Sequence, residues 1–128
     1  MNKLKKSDLL SLEEYNSNRE RLSGQVLALK KDRKVQIGSN VTLRFENSDT
    51  IKYQVQEMLR IEEIFEQNGI EGELATYNPL IPDGSNLKAT MLIEFPDEVI
   101  RKEKLGQLIG IEHKVWLQVG ENDRIFAI

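Results

Sequence analysis

The spacing of apolar residues switches repeatedly between the helical and the strand period, and this order constrains the fold more than any other feature. Helical spacing is found from about residue 7 or 11 to 30, and then over 50–68, 71–77 and 97–108. Strand-like segments occupy 34–37, 41–46, 87–95, 114–119 and 124–128. The order predicts an α+β fold with a mainly antiparallel sheet of about five strands, in two hairpins plus a central strand, and three to four helices.

Turn and capping residues set the expected boundaries of these segments. Ser11 and Glu14 have the spacing of a capping box at the start of the first helix. Asn68 and Gly69 have the pattern of a helix end, so the second helix is predicted to stop there. In the segment 41–46, apolar and polar residues alternate, which predicts one buried and one solvated face.

Length and charge limit the class of protein. The 128 residues suit one compact domain, so we predict a single α+β domain over 1–128. The net charge of −3 is unlike that of a general nucleic-acid binder. No stretch approaches the roughly 18 apolar residues of a membrane span. The first six residues are not followed by the apolar core that a secretory signal requires. We therefore expect a cytoplasmic protein that binds neither nucleic acid nor membrane.

The composition also limits the cofactors that the chain itself can ligate. It contains no cysteine and one histidine, His113, so it offers neither an iron–sulfur ligand set nor a cysteine zinc site. A ferritin-like di-iron centre needs Glu-x-x-His on two helices, which one histidine cannot supply. No phosphate-loop or dinucleotide motif is present. We predict no metal and no cofactor.

The second helix places polar residues inside its apolar arc. At about 100° per residue, Gln54, Glu57 and Glu62 fall among apolar side chains, whereas Gln56 and Arg60 share the opposite, polar side. A buried carboxylate without a partner is costly. Two interpretations follow: Gln54 or Glu62 caps or braces a neighbouring element by hydrogen bonds, or a polar pocket lies under the apolar sheet. Glu57 and Glu62 project about 140° apart and do not form a carboxylate pair.

Four segments resemble the bacterial domain-of-unknown-function family 3501. They are YQVQEMLRIE at 53–62, YNPLIPDG at 77–84, SDLLSLEEY at 7–15 and VWLQVG at 115–120, so the similarity spans essentially the whole chain. The family blocks include the candidate binding residues Gln54, Glu57, Arg60, Glu62, Tyr77, Asn78 and Asp83. Tyr77 and Asn78 precede a rigid loop, where they can brace the helix or line a pocket.

The resemblance carries expectations about partners. Family members are often encoded beside rubrerythrin-like di-iron proteins and iron–sulfur oxidoreductases, which implies a role near peroxide or electron-transfer metabolism, in oxidative stress. Members also commonly continue beyond the position of Ile128, so the chain is expected to be a short member or to lack a C-terminal segment. No established activity comes with the family.

Three functional hypotheses remain open from the sequence. The first is a cofactor-free accessory protein that docks on a di-iron or iron–sulfur redox protein through residues 77–84 and the adjoining helix. The second is a small-ligand-binding protein or enzyme, with Glu57 or Glu62 as the acid–base group and Arg60 or Lys88 recognising an anion. The third is a homo-oligomer formed through the apolar C-terminal strand 124–128. We favour the first over an enzymatic function, and the sequence leaves the question of enzyme activity open.

Overall fold

The structure is a computed structural model that describes residues 3–128. The chain divides into two units, Met1–Ile93 and Glu94–Ile128. The first unit contains helices α1 (Leu12–Lys31), α2 (Ser48–Ile61) and α3 (Gln67–Tyr77), and strands β1 (Lys34–Ile37), β2 (Val41–Phe45) and β3 (Ala89–Ile93). Short 3-10 turns lie at Lys6–Asp8 and Asn78–Leu80.

The cap predicted for the first helix is confirmed. The Glu14 backbone N–H donates to Ser11 Oγ over 3.2 Å, which satisfies one of the free donors at the start of α1. Asn47 caps α2 in the same way, because its side-chain oxygen accepts from Thr50 N at 2.8 Å. Both helices therefore begin where short polar side chains can replace the missing backbone acceptors.

The prediction that the second helix runs to Asn68 is wrong, because α2 ends at Ile61. The chain leaves the helix through a Schellman motif. Ile64 N donates to Leu59 O at 2.9 Å, and Glu63 N donates to Arg60 O at 3.3 Å. Glu63 occupies the left-handed position of this motif, with φ of 52°. Glycine usually marks that position, so a glutamate there gives no signal in the sequence.

Gly69 starts a helix instead of ending one, since it lies in the first turn of α3. A Cβ atom at this position would lie 2.6 Å from Cγ2 of Ile64. Ile64 packs against the buried cluster, so the glycine is needed for the close approach of α3 to the preceding turn. Gly69 is therefore explained by the packing of α3 against Ile64, and it does not mark the end of a helix.

The buried core comes from the helices and the loop that follows α3. It consists of Ile51, Val55, Leu59, Leu74 and Ile81. Tyr15 is the buried residue that α1 contributes. α2 supplies three of the five cluster residues, which makes it the central helix of this unit.

β1, β2 and β3 form an antiparallel sheet in that order. Val35 pairs with Leu43, and Leu43 pairs with Met91, so one face of the sheet is apolar. The prediction of a buried face is nevertheless wrong, because the strand residues are all exposed or half-buried. The helices bury their apolar residues mainly against one another, and the sheet contributes none of the core cluster.

The second unit contains α4 (Glu98–Gln107), a 3-10 turn at Ile111–Lys114, and the antiparallel strands β4 (Trp116–Leu117) and β5 (Ile125–Phe126). Asp97 caps α4 by accepting from Val99 N and Ile100 N. None of the residues from 94 to 128 is buried. The Arg124 guanidinium lies 4.3 Å from the centroid of the Trp116 ring, a cation–π contact.

The predicted fold class is confirmed: within residues 3–128, four helices and five antiparallel strands form an α+β fold. The strands are divided between a three-stranded sheet and a two-stranded sheet. β4 and β5 are shorter than the segments predicted for them, 114–119 and 124–128. Over residues 3–128, none of the helices combines the length and apolar character that crossing a membrane requires.

Candidate functional site

Glu57 on α2 holds α1 in place. It accepts a hydrogen bond from Tyr15 Oη at 2.6 Å. Arg19 donates two hydrogen bonds to the same carboxylate, from Nε at 3.0 Å and from Nη2 at 2.8 Å. A carboxylate has about four acceptor positions, so three donors engage most of its capacity. The brace on the central helix is therefore Glu57, whereas the sequence assigned such a role to Gln54 or Glu62.

The electrostatics of this cluster keep Glu57 ionised. The hydrogen bond from Arg19 is the main cause that lowers the pKa of Glu57 below its ordinary value, with a further contribution from Tyr15. Burial, followed by the hydrogen bond to Glu57, raises the pKa of the Tyr15 hydroxyl. A carboxylate held in its charged form is a poor proton donor at neutral pH.

Gln56 is the site residue that the sequence missed. It is 2% exposed, although the helical wheel places it on the polar side. Its side-chain oxygen accepts from Leu10 N at 2.7 Å, and its side-chain nitrogen donates to Leu10 O at 3.4 Å. Gln56 thus pairs with both backbone groups of Leu10 in the segment before α1. This segment covers the side of α2 that the helical wheel predicts to be solvent-exposed.

Other residues of the predicted site lie apart from the Glu57 cluster. Gln54 is half-buried, and Glu62 is exposed because it is the C-cap of α2. The wheel placed Glu62 among apolar neighbours only by extending the helix past its true end. Arg60 is half-buried and lowers the pKa of Glu57 through its charge, a weaker effect than those of Arg19 and Tyr15.

Asn78 and Tyr77 act as braces. Asn78 Oδ1 accepts from Leu4 N at 2.8 Å, and Asn78 Nδ2 donates to Leu4 O at 3.0 Å. Tyr77 packs against the buried cluster. Gln56 and Asn78 therefore use the same device, a side-chain amide that pairs with both backbone groups of one residue in the N-terminal segment.

Asp83 lies at the surface in the loop after Ile81. Its carboxylate accepts from the backbone N–H of Ser85 at 2.8 Å and from the Ser85 hydroxyl at 2.7 Å. The hydroxyl hydrogen bond is the main cause that lowers the pKa of Asp83. The backbone N–H of Asp83 donates to Asn86 Oδ1 at 3.0 Å, so the loop is held in a defined turn.

Two grooves flank the packing of α1 on α2. One, with a volume of about 1210 Å³, is lined by residues of α1 and of the C-terminal end of α2, among them Arg19 and Arg60. The other, of about 520 Å³, is lined by Tyr15, Tyr53 and Gln56 among others. Neither lining includes Glu57 or Glu62. Among residues 3–128 there is no group of three or more histidine or acidic side chains arranged to hold a metal ion.

The comparisons with known proteins give the family. The family model described as protein of unknown function (DUF3501) matches residues 3–128. The chain belongs to this family. Its structure is similar to the crystal structure of a novel protein of unknown function from Burkholderia pseudomallei, at 47% identity and a TM-score of 0.93. The match covers 98% of this chain and 71% of that one. The search of curated proteins finds no match.

Membership in the DUF3501 family confirms the resemblance of the four sequence segments and assigns no activity. The structure brings Glu57 together with Tyr15 and Arg19, and it ties Asn78 to the N-terminal segment. It leaves Glu62 and Asp83 at the surface. The family blocks therefore contain residues that hold the fold as well as residues that a partner can reach.

Proposed function

We propose that this DUF3501 protein is a cofactor-free accessory protein that acts by binding a redox protein. The observation that carries the proposal is that polar side chains of the central helix α2 make hydrogen bonds within the fold. Gln56 and Glu57 are both engaged in hydrogen bonds that hold the N-terminal segment and α1. Side chains committed to holding the fold favour recognition at the surface over chemistry at these groups.

The loop after α3 is the docking surface in this proposal. Ile81 is buried and anchors the loop, while Leu80 and Leu87 are exposed on either side of the Asp83 turn. A turn that is already ordered loses little conformational freedom on binding. Asp83 stays anionic because of its hydrogen bonds with Ser85. These features suit a partner surface that is basic and has apolar patches.

The class of partner comes from the family resemblance. It implies a rubrerythrin-like di-iron protein or an iron–sulfur oxidoreductase, and the proposal commits to a member of these two classes. Its role would be in peroxide or electron-transfer metabolism. The alternative function, a small-ligand-binding protein or enzyme using Glu57 or Glu62, has less support because the two grooves do not include either carboxylate in their linings.

The test measures binding between the purified chain and a purified protein of each class from the same bacterium. Asp83→Asn removes the charge while leaving an oxygen that can accept from Ser85, so the turn is kept. We expect Asp83→Asn to weaken binding about threefold, as for an exposed charge pair. Asp123→Asn, the same charge change in the second unit, should leave binding unchanged. Failure of both protein classes to bind the unmodified chain would refute the proposal.

A further inference from the structure

The larger groove of the first unit leaves apolar side chains in water. Leu27 of α1 is 62% exposed, and Ile61 and Phe65 beside the end of α2 are 63% and 73% exposed. All three line the same groove, of about 1210 Å³. A contiguous set of exposed aliphatic and aromatic residues in a concave surface is typical of an interaction site.

The groove carries charges of both signs, and one of them, that of Arg19, is paired with Glu57. Arg60, Glu20 and Glu63 line it. Over the part of the chain that the structure describes, none of the three makes an ion pair or a side-chain hydrogen bond. A small anion would meet Glu20 and Glu63 here, and a small cation would meet Arg60. The best complement to this groove is a surface that also carries both positive and negative side chains.

Gly24 gives the groove room for a close approach of two backbones. It lies in α1 and lines the groove, and a Cβ atom built on it meets no atom within 4 Å. The exposed side of α1 is therefore low at its middle, between Glu20 and Leu27. Helices approach each other closely where small residues face the partner.

We propose that this groove binds the same groove of a second copy of the chain, related by a two-fold axis. In such an isologous interface every contact occurs twice, so a surface with both signs of charge is complementary to itself. Arg60 of one copy pairs with Glu20 or Glu63 of the other. Leu27, Ile61 and Phe65 of the two copies cover one another. This interface is separate from the Asp83 loop, so either proposal can fail without the other.

The first experiment measures the mass in solution by sedimentation equilibrium. We expect a dimer, twice the 14.8 kDa of the chain. Gly24→Leu adds a side chain whose Cβ meets no atom within 4 Å in the isolated copy and which occupies the groove, so it should weaken dimerisation at least tenfold. Gly72→Leu is the matched control, because that glycine is also helical, also has open space around it, and lies outside the groove lining.

The second experiment reverses charges. Arg60→Glu should weaken the dimer, and adding Glu20→Arg or Glu63→Arg to it should restore the dimer if the groove residues pair between copies. Circular dichroism of each variant shows that the monomer is folded. A monomer at all concentrations up to about 1 mM would overturn the proposal. So would a dimer that Gly24→Leu and Arg60→Glu leave intact and Phe126→Ser dissolves, because the C-terminal strand would then be the interface.

Discussion

The two longest helices of the first unit contribute to the fold in opposite ways. α1 has 20 residues and buries one of them, Tyr15. α2 has 14 residues and buries five, two of which are the polar residues Thr50 and Gln56. Helix length is therefore a poor guide to which segment forms the core. α2 organises the interior. α1 contacts it through the Glu57 cluster and through Tyr53, which meets Ser23 and Lys30, while much of α1 stays exposed.

The largest expected difference between the two helices is in the cost of removing an apolar side chain. Leu59 on α2 is buried, so Leu59→Ala should destabilise the protein by about 3 kcal/mol. Leu27→Ala on α1 should change the free energy of unfolding by less than about 0.5 kcal/mol in dilute protein, since Leu27 is exposed. Urea denaturation measures both. Equal costs would contradict the contrast between α1 and α2.

The two glutamines of α2 sharpen the comparison. Gln56→Leu leaves the partly buried Leu10 N–H without its acceptor, at a cost of about 2 kcal/mol. Gln54 is half-buried, and Gln54→Leu should be close to neutral because the Gln54 side chain makes no hydrogen bond to the residues that the structure describes. Amide hydrogen exchange at Leu10 should also accelerate in Gln56→Leu. Unchanged exchange at Leu10 would show that the amide of Gln56 does not protect this segment.

Glu57 adds a pH dependence to the contact between the helices. Its pKa is lower in the folded state than in the unfolded chain, so its stabilisation is present above the unfolded value of about 4.3 and is lost as pH falls through the folded value. Glu57→Gln should cost about 1 to 2 kcal/mol at pH 7. The difference from the unmodified protein should shrink towards pH 3. A difference that stays constant from pH 7 to 3 would contradict this account.

The smallest expected effect is a gain in stability at the end of α2. Glu63 has a positive φ, so Glu63→Gly should remove a steric cost of about 1 kcal/mol and raise the melting temperature by about 4 °C. Glu62→Gly is the control, because Glu62 has ordinary right-handed geometry and gains nothing from glycine. Equal effects of the two substitutions would show that the backbone of Glu63 is not strained.

The sequence was informative where a feature depends on neighbouring residues. The cap at Ser11, the hairpin of β1 and β2, and the α+β class all follow from local patterns, and the structure confirms them. The end of α2 does not, because its motif has Glu63 where glycine is usual. The pattern at Asn68 and Gly69 predicts a helix that is too long. On that longer helix Glu62 falls among apolar residues, although in the structure it lies at the C-cap of α2.

The site residues were less predictable because their partners are distant in sequence. Glu57 was identified from its place in the apolar arc, but Arg19 was not, since 38 residues separate them. The helical wheel places Gln56 on the solvent-exposed side of α2. A wheel contains no information about other segments, and in the structure the segment before α1 covers Gln56. The pairing of Asn78 with Leu4 spans 74 residues and has no local signal.

A double-mutant cycle on Tyr15 and Glu57 tests most directly whether polar side chains of α2 hold α1. The free energy of unfolding is measured at pH 7 for the unmodified protein, Tyr15→Phe, Glu57→Met and the double variant. The 2.6 Å hydrogen bond predicts a coupling energy of about 1.5 kcal/mol. Additive costs, with a coupling below about 0.5 kcal/mol, would contradict the account.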